Sequence, residues 1–121
     1  MSHLNRKSIA ILSSAAMLLA SPNSYADYSC SGTVGYLGIG ANGDVTVSLS
    51  NSTPVHLICS VGVQGGYVMS VPSCKFAYAA FLAARVAGKT MVVYYHDNGQ
   101  TCGTLPSWGA VSSVYFVQGP D

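Results

Sequence analysis

Residues 72–95 read PSCKFAYAAFLAARVAGKTMVVYY, and the fold turns on how this stretch divides. Its first part is rich in alanine and leucine, with Ser73 placed as an N-cap, Arg85 near the negative end of the dipole and Gly88 as a stop, which predicts a helix over Cys74 to Ala87. The β-branched and aromatic run behind it, with Met91, Val92, Val93, Tyr94 and Tyr95, predicts a strand over Thr90 to Asp97. The helix has only Lys75 and Arg85 as charges, while Phe76, Tyr78, Phe81, Leu82 and Val86 spread around much of its circumference. A helix apolar nearly all round is buried on more than one side. A small domain covers one side only, so a second chain is expected to cover part of the other; the alternative is that the alanine-rich face is simply open to water.

Working outward, Gly32 to Ile39 is glycine- and β-rich, Gly40-Ala41-Asn42-Gly43 is a hairpin signal, and Asp44 to Ser50 alternates Val45, Val47 and Leu49 with Thr46, Ser48 and Ser50. Two antiparallel strands follow. Asn51-Ser52-Thr53-Pro54 reads as a turn; it also fits a glycosylation acceptor, although turn chemistry accounts for the same residues. Val55 to Val61 makes a third strand, and Gly65-Gly66 marks a bend before an extended stretch, Tyr67 to Val71. After the helix and fourth strand, a polar loop over Asn98 to Gly109 leads to a last strand, Val111 to Gln118. The chain is therefore mainly β with one helix, in the order β-β-β-α-β-β. That is the order of an OB-fold, a partly open five-stranded barrel, and the barrel is the expected architecture. Element order does not fix closure, and an α+β sandwich satisfies it as well.

Of the 121 residues, 50% are hydrophobic and only 7% charged, against about 25% charged in average domains. This is one globular domain at most. Residues 1–26 combine Arg6 and Lys7, an apolar run from Ile9 to Ala20 and the small-residue end Ser24-Tyr25-Ala26, the pattern of a secretory signal peptide. The run is shorter than the roughly 20 residues of a membrane span. The expected mature domain, residues 27–121, is secreted or periplasmic and does not span a membrane. It keeps three bases (Lys75, Arg85, Lys89) against four aspartates, so no basic patch offers nucleic acid a partner.

All four cysteines, Cys30, Cys59, Cys74 and Cys102, lie in that domain. An oxidising destination and an even count predict disulfides. No pair has the close C-x2-C spacing of zinc ligands, so neither metal nor other cofactor is expected. Four cysteines allow three connectivities. The pairing Cys59 with Cys74, a strand end to a helix start, and Cys30 with Cys102, the domain's beginning to a late loop, is the favoured one.

Catalytic chemistry finds little here. His56 and His96 are the bases of the expected mature domain, no nucleophile elbow is present, and His96 and Asp97 point to opposite faces of a strand. Glutamate is absent, and the glycine-rich stretch Gly35 to Gly40 has no helix behind it to bind phosphate. The expectation is a non-enzymatic binding protein. Aromatic residues near predicted loops and edges, Tyr36 and Trp108 above all, suit an uncharged or weakly charged ligand such as a glycan, and Tyr28, Tyr67 and Tyr115 lie in similar places. The alternative is a structural or inhibitory protein that contacts a protein partner.

The stretch Cys74 to Tyr95, with its cysteine opening an apolar helix, its Gly88-Lys89 end and its Val-Val-Tyr-Tyr strand, resembles the B subunits of pertussis-like toxins of the subtilase-cytotoxin and typhoid-toxin type. Cys59 ahead of the helix and Ser31-Gly32-Thr33-Val34 add to the likeness. The resemblance implies an OB-fold, a ring with helices lining its centre, and binding of sialylated glycans, with Ser31 against the sugar carboxylate. Departures are the short end at Val117-Gln118-Gly119-Pro120-Asp121 and Cys30 directly before Ser31.

Overall fold

A computed structural model describes residues 27–121; the expected signal peptide, residues 1–26, lies outside the described part. The elements are β1 (Tyr28–Ile39), β2 (Asp44–Leu49), β3 (His56–Ser60), α1 (Val71–Ala87), β4 (Thr90–Tyr95), a 3-10 turn at Cys102–Thr104, and β5 (Val114–Gln118). The strands form one antiparallel sheet in the order β3-β2-β1-β4-β5.

That sheet is open, which corrects the barrel expected from the element order. Closure of an OB barrel needs a ladder between the third strand and the last part of the chain. Here a single parallel bridge, Leu57 to Ala110, stands in its place. The physical reason lies in residues 106–109. Gly109 N–H donates to the Pro106 carbonyl at 3.2 Å, folding this segment into a tight turn that cannot continue as a strand. β5 begins only at Val114, already paired with β4.

β1 is the long central strand and serves two partners in succession. Tyr28 to Thr33 pair with β4, and Val34 to Ile39 pair with β2, with a register shift between Val34 and Tyr36. Glycine is required next to that shift: a Cβ on Gly32 would lie 2.8 Å from the Ser50 carbonyl oxygen. The strand also starts at Tyr28, earlier than the glycine-rich stretch predicts, because Tyr28 to Ser31 find a full ladder on β4.

α1 crosses the core face of the sheet with Cys74, Ala77, Phe81 and Ala84 inward, a stripe at helical spacing. Phe81 is completely buried, worth about 1.5–3 kcal/mol. The N-cap is Ser70 and not Ser73: the Ser70 hydroxyl accepts from Ser73 N–H, and Pro72 occupies the first turn, where its missing N–H costs nothing. The expected extended stretch Tyr67 to Val71 is not a strand; it is bends leading into the helix. Gly88 ends α1 in the left-handed conformation, φ 64°. Among the described residues no helix is long and apolar enough to cross a membrane.

Both favoured disulfides are present, Cys30–Cys102 and Cys59–Cys74. The core joins Val45, Val47, Leu49, Ile58, Met91, Val93 and Val114 to the helix stripe, with the polar pair His56 and Tyr95 buried at its edge. His56 Nδ1 lies 2.8 Å from the Pro54 carbonyl oxygen, so it carries the proton and donates. Nε2 is then the acceptor for the Tyr95 hydroxyl at 2.7 Å. Burial lowers the His56 pKa, only partly offset by the bond to Pro54, and burial raises that of Tyr95. The pair is a neutral hydrogen-bonded unit of the interior.

Candidate functional site

Tyr36 and Trp108, 72 positions apart in the numbering, meet on the outer face of the sheet. Their ring centroids are 5.3 Å apart at an interplanar angle of 73°, an edge-to-face contact. Tyr36 follows the register shift of β1, and its ring lies along the strand: a Cβ on Gly38 would be 3.1 Å from the Tyr36 hydroxyl. Trp108 occupies the third position of the turn from Pro106 to Gly109 with φ 58°, a conformation that such turns normally give to glycine or asparagine. The left-handed region costs a non-glycine residue roughly 1–2 kcal/mol. Three backbone hydrogen bonds hold the loop against β3 and so fix the indole: Trp108 N–H to Val55 at 2.6 Å, Leu57 N–H to Gly109 at 2.9 Å and Val111 N–H to Leu57 at 2.8 Å.

Beside the two rings, Gly35 leaves bare backbone, flanked by hydroxyls; a Cβ there would lie 2.9 Å from Ser50 Oγ and 3.1 Å from Ser48 Oγ. Trp108 remains 60% exposed and Tyr36 38%. The arrangement offers two aromatic surfaces and a row of hydroxyls with none of the lysines, arginines or aspartates among them.

The third expected contact, Ser31, is also exposed on β1, opposite Val92 of β4. It lies five residues before Tyr36, about 17 Å along a strand. The structure thus joins Tyr36 with Trp108 and leaves Ser31 apart, next to the Cys30–Cys102 bridge.

Two features escaped sequence reasoning. His96 takes Asp27 as its carboxylate partner, with Nδ1 at 3.3 Å from both oxygens, and stacks on Tyr115 at 4.1 Å. Burial and then the Asp27 charge raise the Tyr115 pKa. Asp97 reaches the same Asp27 carboxylate only through its backbone N–H, at 3.4 Å, while its own carboxylate accepts from Gly99 N–H. The second feature is an open groove of about 510 Å³ between α1 and β5, lined by Met69, Ser73, Phe76, Ala80, Phe116 and Val117. Phe76 is 78% exposed there and Phe116 52%. The apolar spread of the helix pointed to such a surface, but not to β5 as its other wall. Among the described residues no group of three or more metal-ligating side chains occurs.

No protein-family model matches the chain, and neither does any curated protein or solved structure.

Proposed function

We propose that this chain is an exported, non-enzymatic binding protein whose ligand is a glycan held on the Tyr36–Trp108 face. The observation that carries the reading is Trp108: a bulky aromatic kept in a left-handed turn position, at roughly 1–2 kcal/mol of backbone energy, and largely exposed. Backbone strain of this kind clusters at ligand-binding sites, which supports the reading. Sugar rings present apolar C–H faces and peripheral hydroxyls, which match the two aromatic rings and the Ser48 and Ser50 hydroxyls. The likeness to pertussis-like B subunits supports the same class of ligand. Ser31 enters only for an oligosaccharide that extends along β1.

A second reading rests on the groove between α1 and β5. Its exposed Phe76 and Phe116 favour a protein contact, either a second copy against the helix Cys74 to Ala87 or another secreted or periplasmic protein.

Trp108 is the one tryptophan of the chain, so its fluorescence reports directly on the site. A glycan array followed by fluorescence titration of the oxidised domain is expected to find a ligand that shifts this emission. Trp108→Gly, read on the array because it removes the fluorophore, is expected to lose about 2 kcal/mol of binding and to melt near the parent, relief of backbone strain offsetting the lost contact with Tyr36. Ser31→Ala is expected to keep the stability and, for a sugar carboxylate contact, to lose about 1.5–3 kcal/mol of binding. A blank array, with unchanged fluorescence, refutes the glycan reading. Light scattering tests the second copy.

A further inference from the structure

Between β4 and Cys102, the loop Asp97-Asn98-Gly99-Gln100 places three kinds of catalytic group around one side-chain amide. Gly99 N–H donates to Asp97 Oδ1 at 2.6 Å. Asn98 Oδ1 accepts from two donors, the Tyr28 hydroxyl at 3.1 Å and Gln100 N–H at 3.2 Å. Asn98 Nδ2 is turned the other way, donating to Gln100 Oε1 at 3.4 Å. Asn98 and Gly99 are both exposed, and Gly99 has φ 76° with nothing within 4 Å of where a Cβ would stand. The Gly99 nitrogen is thus next to no side chain of its own and is paired with a carboxylate, and the amide carbonyl of Asn98 is polarised by two donors.

We propose that Asn98 is a self-modification site, converted to an aspartyl or isoaspartyl residue by Gly99, Asp97 and Tyr28 of the same chain. Gly99 N attacks Asn98 Cγ, forming a C–N bond while its proton passes to Asp97. The negative charge that develops on Asn98 Oδ1 is held by the Tyr28 hydroxyl and Gln100 N–H, an oxyanion hole of two donors. The Cγ–Nδ2 bond then breaks, and the nitrogen leaves as ammonia with the proton returned from Asp97. Water opens the resulting cyclic imide at either carbonyl. No oxidant or metal takes part. Burial and the Asp97 charge raise the Tyr28 pKa, which keeps its hydroxyl a donor. The product carries a new negative charge beside Asp97, on the loop that leads into the Cys30–Cys102 bridge.

The chain has an internal control. Asn42-Gly43 is the same dipeptide in an exposed turn, but Gly43 N–H donates to the Gly40 carbonyl at 2.9 Å, and Gly43 is packed against Gly62. The partner of that nitrogen is a backbone carbonyl and not a carboxylate. Trypsin cuts after Lys75, Arg85 and Lys89, so the two asparagines fall on different peptides. The oxidised protein is incubated at neutral pH in heavy-oxygen water, then reduced, digested and weighed. Asn98 is expected to gain heavy oxygen about tenfold faster than Asn42, and Asp97→Asn to slow it by about tenfold. Tyr28→Phe is expected to slow it several-fold, and urea-unfolded reduced protein to show similar rates at both sites. Equal rates in the folded protein, or a rate at Asn98 unchanged in both Asp97→Asn and Tyr28→Phe, overturn the proposal.

Discussion

Removing the Tyr95 hydroxyl tests the account of the buried polar pair. Tyr95→Phe keeps the ring and its stack on Tyr28, whose centroid is 5.0 Å away at an angle of 9°. It deletes only the donor to His56 Nε2, and His56 is fully buried, so water cannot replace it. An unsatisfied buried acceptor costs about 1–3 kcal/mol. For a domain of this size about 2 kcal/mol lowers the melting temperature by roughly 8–16 °C. The pH dependence follows from the same geometry. His56 has its pKa lowered below the ordinary 6.5 in the folded state. The unfolded chain therefore takes up a proton that the folded chain refuses, and stability falls as pH drops from 6.5 toward the folded value. If folded His56 binds no proton in that interval, the loss between about pH 7.5 and 5.5 reaches about 1.4 kcal/mol. Urea unfolding across that range measures the slope, and circular-dichroism melts measure the variant. His56→Gln is expected to be less stable throughout and to lose the slope. A Tyr95→Phe protein that melts with the parent, or a parent that gains stability on acidification to that limit, refutes the reasoning.

Removing Cys30–Cys102, which spans 72 residues, is expected to cost about 4.4 kcal/mol by chain entropy, against about 3 kcal/mol for the 15 residues of Cys59–Cys74. Urea midpoints of the paired alanine variants give the order. Gly32→Ala forces a Cβ against the Ser50 carbonyl and is expected to lose about 1–3 kcal/mol, whereas Gly66→Ala, with open space around it, stays near the parent in the same assay. Ser70→Ala is expected to cost about 1 kcal/mol of helix cap, and Ser73→Ala less, in thermal melts.

The parts of this fold that local chemistry decides could be read in the sequence. The helix, its Gly88 stop, the succession of strands and helix along the chain and the cysteine pairing all follow from residues within a few positions or from which ends must meet. Closure could not be read, because it depends on whether residues 106–109 continue as a strand beside β3, and Pro106 and Gly109 fold them into a turn instead. The N-cap moved to Ser70 because Pro72 fits the first helical turn as well as it fits a loop. At the site, Tyr36 and Trp108 stood out singly as aromatics near turns, but their contact depends on the register shift in β1 and the hydrogen bonds of the Trp108 loop to β3. His56 read as an ordinary strand residue, because its partner Tyr95 comes from β4. The Asp27 partner of His96 is likewise brought by strand pairing, with Tyr28 opposite Tyr95.

The handover in β1 bears on what a protease would leave behind. Hydrolysis at the exposed Gly35 severs β1 just past its first rung on β2, yet the short piece ahead of the cut keeps its rungs on β4 and its covalent bolt from Cys30 to Cys102. The nicked molecule therefore runs as one species on a non-reducing gel and sheds its leading fragment only when a thiol opens the bolt. A strand with two masters thus gives the domain a built-in tolerance to scission at its own splice.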